Sequence, residues 1–246
     1  IHGCMLELEG MLNYLLSERL MPNDLVVFLG DYIDRGQQAK GVIDLLLEFK
    51  NKEKAKILFL EGNHENMLKN VMIPEASNED DVLLHLVNGG FETFLSYGVS
   101  PHFFETTEIN FSEVARSVIP PEHKAFFLSL ERLVIEENFI FVHAGLNPAK
   151  NLFSQEDEDL LWIREPFLTS PHNFKKLVVF GHTPFYEVFF HPPFQLGIDT
   201  GLVFGNCLTC VELRSFEVYR IPYGSKKGTK FCLNYPYKQS GKNRQS

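Results

Sequence analysis

Cysteine, positive charge and long apolar runs are all scarce in this sequence. Four cysteines among 246 residues cannot build the dense disulfide framework of a small secreted scaffold. Cys207 and Cys210 make a C-x-x-C pair, but the surrounding stretch Asn206-Cys207-Leu208-Thr209-Cys210-Val211-Glu212-Leu213 reads as a strand. Residues three apart on a strand face opposite sides and cannot share one metal. The thiols therefore read as small buried hydrophobes of a protein in a reducing, cytoplasmic setting. Lys and Arg number 23 against 32 Asp and Glu, a net charge of −9, whereas a general nucleic-acid binder needs a basic face to meet phosphates. No apolar run approaches the roughly 20 residues of a membrane-spanning helix. Neither nucleic acid nor membrane is an expected partner. An initiating Met is absent too: the sequence opens on Ile1, as expected of a chain cut partway into a longer protein, so the lack of a leader says little.

Apolar residues, 44% of the total and including 23 Phe, are plentiful enough for a sizeable core and exclude disorder over most of the length. Leu8, Met11, Leu12, Leu15, Leu16 and Leu20 recur at helical spacing over 5–20. Leu25-Val26-Val27-Phe28-Leu29 predicts a strand buried on both faces. A second helical pattern (Val42, Ile43, Leu46, Leu47, Phe49) and a second strand (Ile57-Leu58-Phe59-Leu60) complete a βαβ unit. Residues 66–138 lack strand signals and are expected to be an all-helical cap insertion, with Pro120-Pro121 opening one helix. Buried strands return at Phe139-Ile140-Phe141-Val142 and Leu177-Val178-Val179-Phe180, and 195–221 alternates like antiparallel strands. A catalytic domain over 1–222 is expected to contain the insertion. The basic, acid-free segment 223–246 is expected to be a mobile tail.

Four predicted strands run into residues that bind metals or phosphate: Gly30-Asp31-Tyr32-Ile33-Asp34-Arg35-Gly36, Gly62-Asn63-His64-Glu65, His143-Ala144-Gly145 and Gly181-His182-Thr183. In open α/β sheets, ligands bind beyond the carboxyl ends of strands, so these side chains should share one cleft. A lone His after a strand is more often structural than a ligand, and His-Ala-Gly or Gly-His-Thr alone is weak. Two carboxylates and an Arg packed into one turn are a much stronger signal, because they would waste charge without a cation and an anion to bind.

The ordered set resembles the PPP family of metal-dependent phosphatases, within the calcineurin-like metallophosphoesterases. Asn88-Gly89-Gly90, Tyr97-Gly98, Leu161-Trp162-Ile163-Arg164 and Ile198-Asp199-Thr200-Gly201 further resemble its bacterial and phage-type serine/threonine protein phosphatase branch. The resemblance departs at the first motif, present only as Ile1-His2-Gly3-Cys4; the family's Asp, two residues before that His, would lie ahead of Ile1, together with the strand leading into it. The resemblance implies an α/β fold: a calcineurin-like β-sandwich of two mixed sheets flanked by helices, with a helical cap. It implies two divalent metal ions, with Asp31 bridging them, Asn63, His143 and His182 on one, and His2 on the other. Mixed oxygen and imidazole donors suit Mn, with Fe or Zn as alternatives, better than Ca. Water bridging two such cations is hydroxide near neutrality. Arg35, Asn63 and Arg164 would bind the substrate phosphate, His64 would protonate the leaving oxygen, and Asp34 would orient His64.

The expected activity is metal-dependent phosphomonoester hydrolysis, on phosphoserine and phosphothreonine in a phosphoprotein or phosphopeptide. The same cradle suits a dinucleoside polyphosphate such as diadenosine tetraphosphate, which is the alternative substrate. A catalytically impaired phosphate-binding module is a third reading, supported only by the Asp absent ahead of Ile1.

Overall fold

A computed structural model describes residues 1–72, 79–105, 110–172 and 174–234. Ten strands occur among them. β1 (Leu25–Phe28) pairs in parallel with β2 (Lys56–Phe59). β3 (Leu133–Ile135), β4 (Phe139–Val142), β5 (Leu177–Phe180), β6 (Phe189–His191) and β7 (Gln195–Gly197) form a mixed sheet in the order β3-β4-β5-β7-β6, with β4, β5 and β7 parallel. β8 (Cys207–Glu212), β9 (Glu217–Pro222) and β10 (Thr229–Cys232) form an antiparallel group.

Alternation along the strands sets the layering, because successive side chains point to opposite faces. Phe139 and Phe141 of β4, and Leu177 and Val179 of β5, share a core with Val27, Leu58, Leu60 and Val211 from the other strand groups. Ile140, Val142, Val178 and Phe180 face the opposite way, against Leu160, Leu161 and Phe167. Val26, Phe28, Ile57 and Phe59 turn outward to the helices. The result is the expected sandwich with helices outside.

The helices are α1 (Met5–Tyr14), α2 (Ala39–Lys52), α3 (Asn63–Met72), α4 (Glu79–His85), α5 (Phe91–Ser96), α6 (Phe111–Val118), α7 (Pro121–Leu128) and α8 (Asp157–Trp162). Asn110 caps α6 by accepting from the Glu113 N–H, and Pro121 occupies the first turn of α7, as its fixed φ allows. A capping box between Glu156 and Asp159 starts α8.

Three expectations need correction. The 66–138 stretch is not all helical: Leu133-Val134-Ile135 forms edge strand β3, too short to show a period in the sequence. Phe94, Ala115, Phe126 and Phe127 of its helices share one core with α2 and α3. The 223–246 segment is not wholly a tail, because Thr229–Cys232 is β10, zipped onto β9. It is held by the Arg220 guanidinium over Phe231 at 5.1 Å and the Lys230 ammonium over Tyr14 at 5.1 Å; residues 235–246 lie outside the described ones. Lastly, β1 is half-buried rather than buried on both faces. No described strand pairs with its other edge, and residues 25–29 and 207–213 line one cavity of about 720 Å³.

Candidate metal centre

The four strand ends converge as expected. β1 delivers Asp31, Asp34 and Arg35; β2 delivers Asn63 and His64 at the start of α3; β4 delivers His143 and β5 delivers His182. His2 is held beside the β1 turn by two rungs, its N–H donating to Asp31 O at 2.8 Å and the Gly3 N–H to Tyr32 O at 2.8 Å. Gly62 has to be Gly, since a Cβ there would sit 2.2 Å from Asp31 Oδ1.

Asp31 stands between two trios, His2–Asp31–His64 and Asp31–His143–His182, in each of which the candidate ligating atoms lie within 4.8 Å of one another. His2 donates from Nδ1 to Ile33 O at 2.8 Å, and its Nε2 accepts from Arg35 Nη1 at 3.0 Å. Nε2 therefore carries no proton toward Asp31 Oδ2, 3.3 Å away, and its lone pair, here turned to Arg35, is open to a metal that displaces that guanidinium. His143 is arranged alike: Nδ1 donates to Leu29 O at 2.6 Å, and Nε2 meets Asn63 Oδ1 at 3.1 Å and Asp31 Oδ1 at 3.4 Å. His182 Nδ1 reaches the same Asn63 oxygen at 3.1 Å. At His143 the unprotonated Nε2 faces two acceptor oxygens, an arrangement that repels unless a cation lies among them. The second ring nitrogen tied to a backbone carbonyl is the usual arrangement of a metal-binding His. Protonation states agree: burial and the neighbouring His143 push His182 down to about 3, and burial lowers His2, so both rings are neutral at pH 7. Burial opposes ionisation of Asp31, but the neighbouring imidazoles, His143 and His64 foremost, outweigh it and hold the carboxyl well below its usual range. The donor set fits two divalent cations sharing Asp31.

Glu65 fixes the β1 turn. Its Oε1 accepts from the N–H groups of Tyr32 (2.8 Å) and Ile33 (3.3 Å), and its Oε2 from those of Asp31 (2.9 Å) and Gly62 (3.0 Å). Burial and the Asp31 charge push its carboxyl up to about 7, against the opposing pull of His64 and of the Tyr32 and Gly62 N–H groups.

Beside the trios, Asp34 is completely buried. Its Oδ2 accepts from His64 Nδ1 at 2.7 Å; its Oδ1 accepts from His85 Nε2 at 3.0 Å and Thr93 Oγ1 at 2.6 Å. Burial disfavours the charged His64 ring, but Asp31 and the hydrogen bond to Asp34 overcome this and raise its pKa. Arg35 and the exposed Arg164 line the same cavity as His64 and His182. Phe204, 65% exposed, lies there too, with the Arg35 guanidinium 5.4 Å from its ring centre. Five of these residues have left-handed backbones: His2 (φ 49), Asp31 (56), Asp34 (66), Arg35 (66) and His182 (63).

Seven of the nine expected site residues line one cavity, and Asn63 and Asp34 lie buried behind it, hydrogen-bonded to His143 and His182 and to His64 respectively. The sequence reading missed the parts of Glu65, His85, Thr93 and Phe204. Glu65 stood inside a quoted motif, and a buried acid next to Asn-His was the available signal. His85 and Thr93 sit in a Leu-rich helical stretch, and Phe204 is one Phe among 23; nothing local marks them.

Comparison with known proteins identifies the family. The family model for calcineurin-like phosphoesterases matches residues 1–204. The chain is 30% identical to serine/threonine-protein phosphatase 1 of Salmonella typhimurium, over 87% of this chain and 89% of that protein. It is 25% identical to PrpE of Oceanobacillus iheyensis, an asymmetrical bis(5'-nucleosyl)-tetraphosphatase, over 95% and 96%. Among solved structures, a putative diadenosine tetraphosphatase superimposes with a TM-score of 0.63 at 21% identity, covering 91% of this chain and 90% of that one, which supports the fold.

Proposed function

The chain belongs to the calcineurin-like phosphoesterases, and from that premise we propose that it is a metal-dependent phosphomonoesterase acting on phosphoserine and phosphothreonine in proteins. One observation carries the choice of substrate: the buried Asp34–His64 pair, a charge-assisted hydrogen bond of 2.7 Å that keeps the imidazole protonated beside the metal ligands. Serine and threonine leave as strongly basic alkoxides and need a proton. A nucleotide leaving from a dinucleoside polyphosphate is a stabilised phosphate anion and needs little help.

Two divalent cations held by His2, Asp31, Asn63, His143 and His182 would supply Lewis acidity and an activated water; Mn suits these donors, as do Fe and Zn. Arg35 and Arg164 fork onto the phosphoryl oxygens, and Asn63 adds a further contact. His64, with Nδ1 committed to Asp34, presents Nε2 to the leaving oxygen and gives up its proton there. Asp34 sets the ring plane and compensates its charge.

The second reading, hydrolysis of a dinucleoside polyphosphate, is favoured by Phe204. Its exposed ring beside Arg35 could stack a nucleobase. The test is a side-by-side assay with Mn²⁺ of a phosphoserine peptide and diadenosine tetraphosphate, with His64→Asn as the control. A higher kcat/KM on the peptide is expected. His64→Asn should cut that activity by about 10²–10⁴-fold, with a smaller loss on p-nitrophenyl phosphate, whose leaving group is stable unprotonated. A higher kcat/KM on the tetraphosphate would reverse the assignment of substrate.

A further inference from the structure

His85 is completely buried and its Nδ1 has no hydrogen-bond partner. A buried polar atom left unpaired is costly, and a Phe or Leu would fill the same space without that cost. The ring packs edge-on against Phe94 at 5.8 Å, so apolar neighbours do not explain the imidazole. Its one polar contact is the 3.0 Å bond from Nε2 to Asp34 Oδ1. The fold also makes room for the ring. A Cβ on Gly90 would lie 2.6 Å from His85 Cε1, so the helical turn can close over His85 only with Gly at that position.

Thr93 holds Asp34 from the other side. It donates from Oγ1 to Asp34 Oδ1 at 2.6 Å, and the same oxygen accepts the Asp34 N–H at 2.9 Å. Backbone and carboxylate of one left-handed residue are thereby clamped by one hydroxyl. With Oδ1 taken by His85 and Thr93, only Oδ2 is left to face His64. Rotation of the carboxylate about χ2 would break two bonds to Oδ1 as well as the one to His64.

We infer that His85, assisted by Thr93, is a positioning residue for proton delivery: it locks the Asp34 carboxylate so that His64 Nε2 stays aimed at the leaving oxygen. The inference rests on the acid role given to His64 above. It adds a second imidazole that touches neither substrate nor metal ligand and acts only through Asp34.

The test is a double-mutant cycle with Mn²⁺-loaded protein, read on a phosphoserine peptide and on p-nitrophenyl phosphate, with metal content and melting temperature measured for each variant. His85→Phe should lower kcat on the peptide about tenfold, a fraction of what a general acid supplies, with KM and metal content unchanged and a distinctly smaller loss on p-nitrophenyl phosphate. His85→Gln, which can still donate to Oδ1, should recover most of the activity. In a His64→Asn background, His85→Phe should cost nothing further. Equal losses on both substrates, an undiminished effect in the His64→Asn background, or no loss at all would overturn the positioning role. If His85→Phe does not fold, Thr93→Val takes its place with the same expectations. A His64→Asn variant that shows no difference between the two substrates would refute the acid role itself, and this inference with it. A normal His64→Asn pattern with an additive His85 effect would refute only the inference.

Discussion

Asp31 is the one residue common to both trios, and this makes a quantitative prediction about metal-linked stability. A ligand that binds only the folded state stabilises it by RT ln(1 + [L]/Kd), about 2.7 kcal/mol per site at a metal concentration of 100 Kd. For a chain near this size, each kcal/mol moves the melting temperature by about 2–4 °C. Each site should therefore contribute about 5–10 °C, read as the difference between Mn²⁺-loaded and chelator-treated protein. Because the difference is taken within each variant, any intrinsic destabilisation cancels. His182→Gln removes a ligand from one trio only. A loss of affinity beyond the 10–100-fold typical of a supporting residue leaves that site contributing about 0.4 kcal/mol or less, so the shift should fall to about half. Asp31→Asn preserves shape and removes the charge lying 3.3 Å from His2 Nε2 and 3.4 Å from His143 Nε2; the whole shift should vanish. A thermal melt followed by circular dichroism, with metal content measured on the same samples, decides it. An Asp31→Asn protein that kept half of the wild-type shift would show that the two sites do not share the carboxylate.

Glu65→Gln should be destabilising although it is nearly isosteric, because an amide nitrogen cannot accept the pair of N–H groups that one carboxylate oxygen now takes; about 1–3 kcal/mol per orphaned donor is expected in urea unfolding, and an unchanged midpoint would contradict the anchoring role. In metal-free protein, His182 stays neutral down to about 3 whereas an unfolded His takes up a proton near its ordinary value of 6.5. The unfolded state therefore binds more protons across that window, and stability should fall as the pH drops from 7 toward 4. His182→Gln should flatten this slope, and parallel slopes for the two proteins would refute the assignment.

Asp31, Asn63, His143 and His182 are legible as candidate metal ligands because each follows a strand recognisable as a short apolar run, and because Asp, Asn and His in tight Gly-bounded turns have few other uses. The same logic failed where local pattern carries little. Leu133-Val134-Ile135 is three residues long, and its strand identity comes from pairing with β4. β10 carries Lys230 and follows Lys226 and Lys227, so composition alone suggests a solvated tail. The charged ends of Arg220 and Lys230 instead lie over the Phe231 and Tyr14 rings. His85 shows the limit most plainly: its partner Asp34 lies 51 residues earlier, and only the tertiary fold brings them together.

The left-handed backbones at His2, Asp31, Asp34, Arg35 and His182 have a consequence for how this sequence can drift. An L-residue held there costs roughly 1–2 kcal/mol, less for Asp and His, which visit the region more readily than most side chains, and more for Arg. Glycine relieves the cost at every one of these positions. A library selected for heat resistance alone would therefore enrich Gly at His2, Arg35 and His182, yielding sturdier proteins with an emptied cleft. The residues that stability selection would discard first are those the proposed function would need, so a stabilising campaign on this fold has to score turnover alongside melting temperature.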